Sequence, residues 1–77
     1  MKVIERVRTR IHVHSSLPKP AERRALREAA GLTQRELADT MGVDRTTVAH
    51  WESGRHTPNG KLLDAYVDAL RTLQEAV

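Results

Sequence analysis

The stretch Leu32 to Gly54, LTQRELADTMGVDRTTVAHWESG, constrains this chain more than any other. Apolar residues recur in it at helical spacing in two short bursts, Leu37, Ala38 and Met41, then Val48 and Trp51. Between the bursts stands Gly42, where the chain must turn sharply and only glycine takes a positive φ cheaply. Thr33-Gln34-Arg35-Glu36 has the S/T-x-x-E form of a capping box that opens the first burst. Gly31 suits a left-handed cap ending a preceding helix. Val43 can be pinned under the turn, and Asp44 is a good N-cap for the second helix. The pattern predicts two short helices joined by a tight turn, the second over about Asp44 to Ser53. Val48 and Trp51, three residues apart, face inward on that second helix. Arg45, Thr46, Ala49 and His50 are left on its outer face.

A short helix with one apolar edge and an outward row of donors fits a reader of base edges in the major groove of DNA. The candidate base-contacting residues are Arg45, Thr46, His50 and Asp44. An arginine donates two bonds to guanine O6 and N7, and a threonine meets a base edge or a thymine methyl. The plainer alternatives are a phosphate contact for Arg45 and a backbone contact for His50. Trp51 shares an edge with Val48 and so reads as core filler rather than as a base-stacking residue.

The segment resembles the helix-turn-helix of lambda-type phage repressors and Cro proteins, the XRE-like family. The resemblance is carried by a small residue in the first helix, a glycine at the turn and a branched apolar residue in the second helix. Ala38, Gly42 and Val48 fill these positions, and Gln34 and Trp51-Glu52-Ser53-Gly54 also match. It covers about residues 21–70. It implies a mainly α fold, a four-helix lambda-repressor-like domain, here preceded by an N-terminal β-strand arm that departs from the usual pattern. It also implies that Thr33, Gln34, Ser53 and Arg55 face DNA phosphates, and that Arg27 and Glu52 form an ion pair tying the first helix to the end of the second of the pair. Arg35, Thr57 and Lys61 are the further candidates for phosphate contact. The function implied is a Cro-like transcriptional repressor that occupies an operator and excludes polymerase. The alternatives are an antitoxin-type protein that binds a toxin partner and regulates itself through the same motif, and a DNA-bending accessory protein.

The rest of the chain divides into an arm with its linker, residues 1–19, and a helical body, residues 20–77. Residues 2–14 alternate in polarity with β-branched side chains, the signature of a strand. A strand cannot be stable alone. Pairing with the same strand of a second copy, through Val3, Val7, Ile11 and Val13, would make a homodimer. A basic arm that orders only on DNA is the other reading of this segment. Two prolines in SSLPKP forbid helix before Pro20, which itself suits a first helical turn. A first helix is expected over about Ala21 to Ala30, with Leu26 and Ala29 inward. Pro58 breaks the chain after Gly54, and Asn59 can cap a last helix. Leu62, Leu63, Tyr66, Val67, Leu70 and Leu73 form its apolar stripe, uninterrupted by Gly or Pro over about 15 residues. The expected core is Leu26, Ala29, Leu32, Leu37, Ala38, Met41, Val43, Val48, Trp51, Leu62, Tyr66, Val67 and Leu70.

Composition bounds the function. A chain of 77 residues buries only roughly 60% of its unfolded surface, so stability is marginal without a partner. The net charge is +3, with a balance of +4 in residues 1–20 and −1 in residues 21–77. Phosphate recognition therefore has to come from local clustering, since it needs a basic face and not a basic total. The chain has no Cys, which removes disulfides and thiolate metal sites and fits a reducing cytoplasm. No apolar run approaches a membrane span, and the alternating N-terminus is unlike a signal peptide. His12 and His14 lack companion ligands, so no metal is expected. Ser15 and Ser16 lack a base or acid in motif context, and there is no phosphate-cradling glycine loop. No enzyme, cofactor, membrane or small-molecule substrate is expected; double-stranded DNA is the partner.

Overall fold

The computed structural model of the chain describes residues 17–76. Among them are four helices: α1 (Pro20–Ala29), α2 (Gln34–Met41), α3 (Arg45–Ser53) and α4 (Gly60–Ala76). The strand expected over residues 2–14, and with it Val3, Val7, Ile11 and Val13, lies outside the described residues.

Local chemistry sets the helix limits. Pro20 occupies the first turn of α1, where its missing N–H costs nothing. At the start of α2 the capping box is complete: the Glu36 N–H donates to the Thr33 hydroxyl at 3.0 Å, and the Thr33 N–H donates to the Glu36 carboxylate at 2.9 Å. Gly42 ends α2 at φ +71°, and the Val43 N–H doubles back to the Ala38 carbonyl at 3.0 Å. Gly54 ends α3 at φ +79°, and a Cβ built there would sit 3.2 Å from Cγ of Pro20. Glycine at that position thus serves both the left-handed backbone and the close approach of α1. Asp44 does stand at the N-cap position of α3, but its side chain makes no capping bond. That leaves the first turn of α3 without the expected side-chain acceptor.

The core sits where the helices converge. Leu37, Ala38, Val48, Trp51, Tyr66 and Leu70 form one buried cluster, with Leu17, Leu26, Met41, Val43, Leu62 and Leu73 packed around it. The Trp51 and Tyr66 rings meet at 4.4 Å between centroids, tilted by 43°, which locks α3 against α4. Helix α3 packs on α2 and α1, and α1 packs on α4. The last helix runs unbroken from Gly60 to Ala76, as its uninterrupted stripe predicts.

One core expectation needs correction. Ala29 is exposed, whereas Leu26 is half-buried and packs against the core cluster. Beside Leu26, the inward positions of α1 are Arg23 and Arg27, one helical turn apart and both buried. Their guanidinium groups are accommodated because they find acceptors inside the fold, which lets a helix of low apolar content bury a polar face. Leu63, left out of the expected core, is buried.

Candidate nucleic-acid interface

Helix α3 is two-sided. Val48, Trp51 and Glu52 point into the fold and are buried. Arg45 and Thr46 are exposed at its first turn, while Ala49 and His50 are half-buried one turn later. Helix polarity therefore separates the residues that anchor α3 from those it offers outward.

Polar contacts add direction to the apolar anchors Val48 and Trp51 of α3. Arg27 makes a two-pronged ion pair with Glu52, Nε to Oε2 at 2.7 Å and Nη2 to Oε1 at 3.0 Å. Only 9% and 3% of the two side chains remain exposed. The remaining donor of Arg27, Nη1, reaches the Leu32 carbonyl at 2.7 Å. The bond to Glu52 holds the Arg27 pKa above its ordinary value against the opposing effect of burial. Arg23 donates to the Pro18 carbonyl at 2.7 Å and to the Trp51 carbonyl at 2.9 Å. So α1 grips α3 at two successive residues, Trp51 through backbone and Glu52 through side chain. Fork-shaped guanidinium donors fix direction as well as distance.

This network extends to the exposed surface. Gln34 Nε2 donates to Glu52 at 3.2 Å, and the Arg45 guanidinium donates to Gln34 Oε1 at 3.0 Å. The first residue of α2 and the first residue of α3 are thereby joined side chain to side chain.

The other candidate residues fall into smaller groups. The Thr33 hydroxyl and N–H are both engaged with Glu36, whose carboxyl pKa they hold below the ordinary glutamate value. Ser53 donates to the His50 carbonyl at 3.1 Å, and the Arg55 N–H reaches the same carbonyl at 3.0 Å. The His50 ring meets the His56 ring edge-on at 5.0 Å. Asp44, Arg35, Arg55, Thr57 and Lys61 are exposed, whereas Gln34 is half-buried. The ion pair between Arg27 and Glu52 is present as the resemblance implies. The part of Arg23 was missed: nothing in its sequence position announces that its acceptors are the backbone carbonyls of Pro18 and Trp51. The link from Glu52 through Gln34 to Arg45 was likewise missed, because it runs between two helices, α2 and α3, whose side chains only packing brings together.

Among the described residues there is no cluster of His, Asp or Glu that could hold a metal ion, and no helix is long and apolar enough to cross a membrane.

The helix-turn-helix family model matches residues 24–75, which spans part of α1, all of α2 and α3, and nearly all of α4. The chain belongs to the helix-turn-helix family. This is the XRE-type, lambda-repressor- and Cro-like branch, a DNA-binding regulatory family. In helix-turn-helix terms α2 and α3 are the two helices of the motif, and α3 is the recognition helix. No curated protein and no solved structure matched the chain.

Proposed function

We propose that this helix-turn-helix protein is a sequence-specific transcriptional repressor of the Cro-like kind, acting in the cytoplasm as a homodimer. Each subunit inserts the first turns of α3 into the major groove. Two half-sites about 34–36 Å apart make up a near-palindromic operator, and occupancy excludes polymerase. The arm, residues 1–19, pairs across the two-fold axis through Val3, Val7, Ile11 and Val13, and residues 20–77 bind DNA. Arg45 is the principal base reader, with Thr46, His50 and Asp44 beside it. Thr33, Gln34, Arg35, Ser53, Arg55, Thr57 and Lys61 contact phosphates.

The observation that carries this reading is the exposure of Arg45 at the start of a recognition helix whose opposite face is wholly buried. Selection of bound sequences from random duplexes will return one preferred, two-fold related site. Arg45→Ala will cost about 1–3 kcal/mol on that site and relax the preference at one base pair of each half. Equal losses on preferred and random duplexes would remove Arg45 from the role. Affinity will also fall steeply with salt, as phosphate contact releases counterions; a flat salt dependence would be incompatible with the proposed surface.

A further inference from the structure

We propose that Glu52, a buried residue on the inner side of α3, is a positioning residue for base recognition, acting on Arg45 through the amide of Gln34. The proposal rests on the reading of Arg45 as a base reader given above. Its basis is the direction of the hydrogen bonds. A carboxylate only accepts and a guanidinium only donates. Gln34 lies between one of each: its Nε2 is 3.2 Å from Glu52 Oε1, and its Oε1 is 3.0 Å from Nη1 of Arg45. Turning the amide over would set its oxygen against a carboxylate and its NH2 against a guanidinium, so only one orientation satisfies both neighbours.

Glu52 can impose that orientation because it cannot itself turn. Both of its oxygens are engaged by Arg27, at 2.7 and 3.0 Å, and its side chain is 3% exposed. Arg27 in turn is fixed by the Leu32 carbonyl. The chain of bonds therefore runs from a rigid buried pair, through an amide of defined sense, to a long side chain on the surface. A free arginine there would sample many rotamers. Tethered by one N–H, Arg45 keeps four donors, enough for the two bonds that guanine accepts. Holding the fork in place before DNA arrives lowers the ordering cost of the contact and penalises bases that need another geometry.

The test measures discrimination, not affinity. The full chain binds a panel of duplexes that vary the base pair lost to Arg45→Ala, alongside random-sequence duplex. A good two-bond contact discriminates by about 5- to 150-fold. Glu52→Gln is expected to lower that ratio at the same base pair by about threefold or more while its binding to random duplex changes less than about twofold. Gln34→Met, which keeps length but has no N–H donor and only a weak thioether acceptor, is expected to lower the ratio equally. The double variant Arg27→Met with Glu52→Leu separates positioning from stability. It replaces the buried pair with apolar packing, and its melting temperature shows whether the fold is retained. Retained stability with lost discrimination is the expected result. Full discrimination in the double variant or in Gln34→Met would overturn the proposal. If Arg45→Ala weakens all duplexes alike, the base-reading role fails instead, an outcome distinct from Arg45 reading a base without help from Glu52.

Discussion

Helices α3 and α4 are held to the same core by different means. Besides Val48 and Trp51, α3 is held by Arg23 and Arg27, whose bonds end on the Trp51 carbonyl and the Glu52 carboxylate. The buried residues of α4 are Leu63, Tyr66, Val67 and Leu70, and the hydroxyl of Tyr66 has no hydrogen-bond partner among the described residues. Apolar burial is non-directional and rewards proximity alone. Hydrogen bonds to charged groups fix direction. A recognition helix must present side chains at one tilt to meet base edges, whereas a closing helix has only to cover the core. The polar clamp lies on the helix that has the stricter task.

That contrast makes quantitative claims, and the largest concerns the clamp. Glu52→Ala leaves the Arg27 charge buried without its partner and will cost about 3–5 kcal/mol in urea unfolding. The double variant with Met at 27 and Leu at 52 will recover most of that loss, because well-packed apolar pairs replace buried ion pairs at little cost. Leu70→Ala will cost about 3 kcal/mol through the cavity it leaves. It will not alter the ranking of duplexes by a protein that remains folded. Should Leu70→Ala shift base preference as strongly as changes at Glu52, the division of labour between the two helices is wrong.

A smaller effect belongs to the start of α2. Thr33→Ala removes a cap and will cost about 1 kcal/mol. It will also change the acid limb of stability. The Thr33 N–H and hydroxyl hold the Glu36 carboxyl below its ordinary value in the fold. Its contribution is therefore present above the unfolded pKa and is lost as pH falls through the folded one. Acid unfolding of Thr33→Ala will show a shallower loss below the ordinary glutamate range, and identical acid limbs would contradict the capping box.

The smallest effect is at Tyr66. Its hydroxyl is buried without a partner among the described residues, so Tyr66→Phe will change stability at neutral pH by less than about 1 kcal/mol. Alkaline behaviour is more telling. Burial pushes the Tyr66 pKa up to about 12 from 10. The folded form thus favours the neutral phenol, and its contribution, full below the unfolded pKa, is lost as pH rises from 10 towards 12. The phenylalanine variant will lack this loss, and a persisting alkaline loss of the same size would assign it elsewhere.

The helical pair was readable because its signals are local. Thr33 and Glu36 cap each other across three residues, Gly42 supplies a left-handed turn that needs no partner, and Val48 and Trp51 share an edge by helical period alone. The last helix was readable for the same reason, as an apolar stripe without a breaker. Helix α1 was misjudged on its inner face: Ala29 looked inward by hydropathy, yet Arg23 and Arg27 hold that side. A scale of apolarity counts a guanidinium as surface unless its acceptors are known, and the acceptors that tie these arginines to α3, the Trp51 carbonyl and the Glu52 carboxylate, sit 28 and 25 residues away in sequence.

Residue order alone thus settled where helices start and stop and which edge of each is apolar, since both depend on neighbours within a turn or two. Packing settled which arginines enter the core, how Gln34 turns its amide and where Arg45 is tethered. Those choices depend on donors and acceptors from α1, α2 and α3 meeting in one place, and no spacing within a single segment encodes such a meeting.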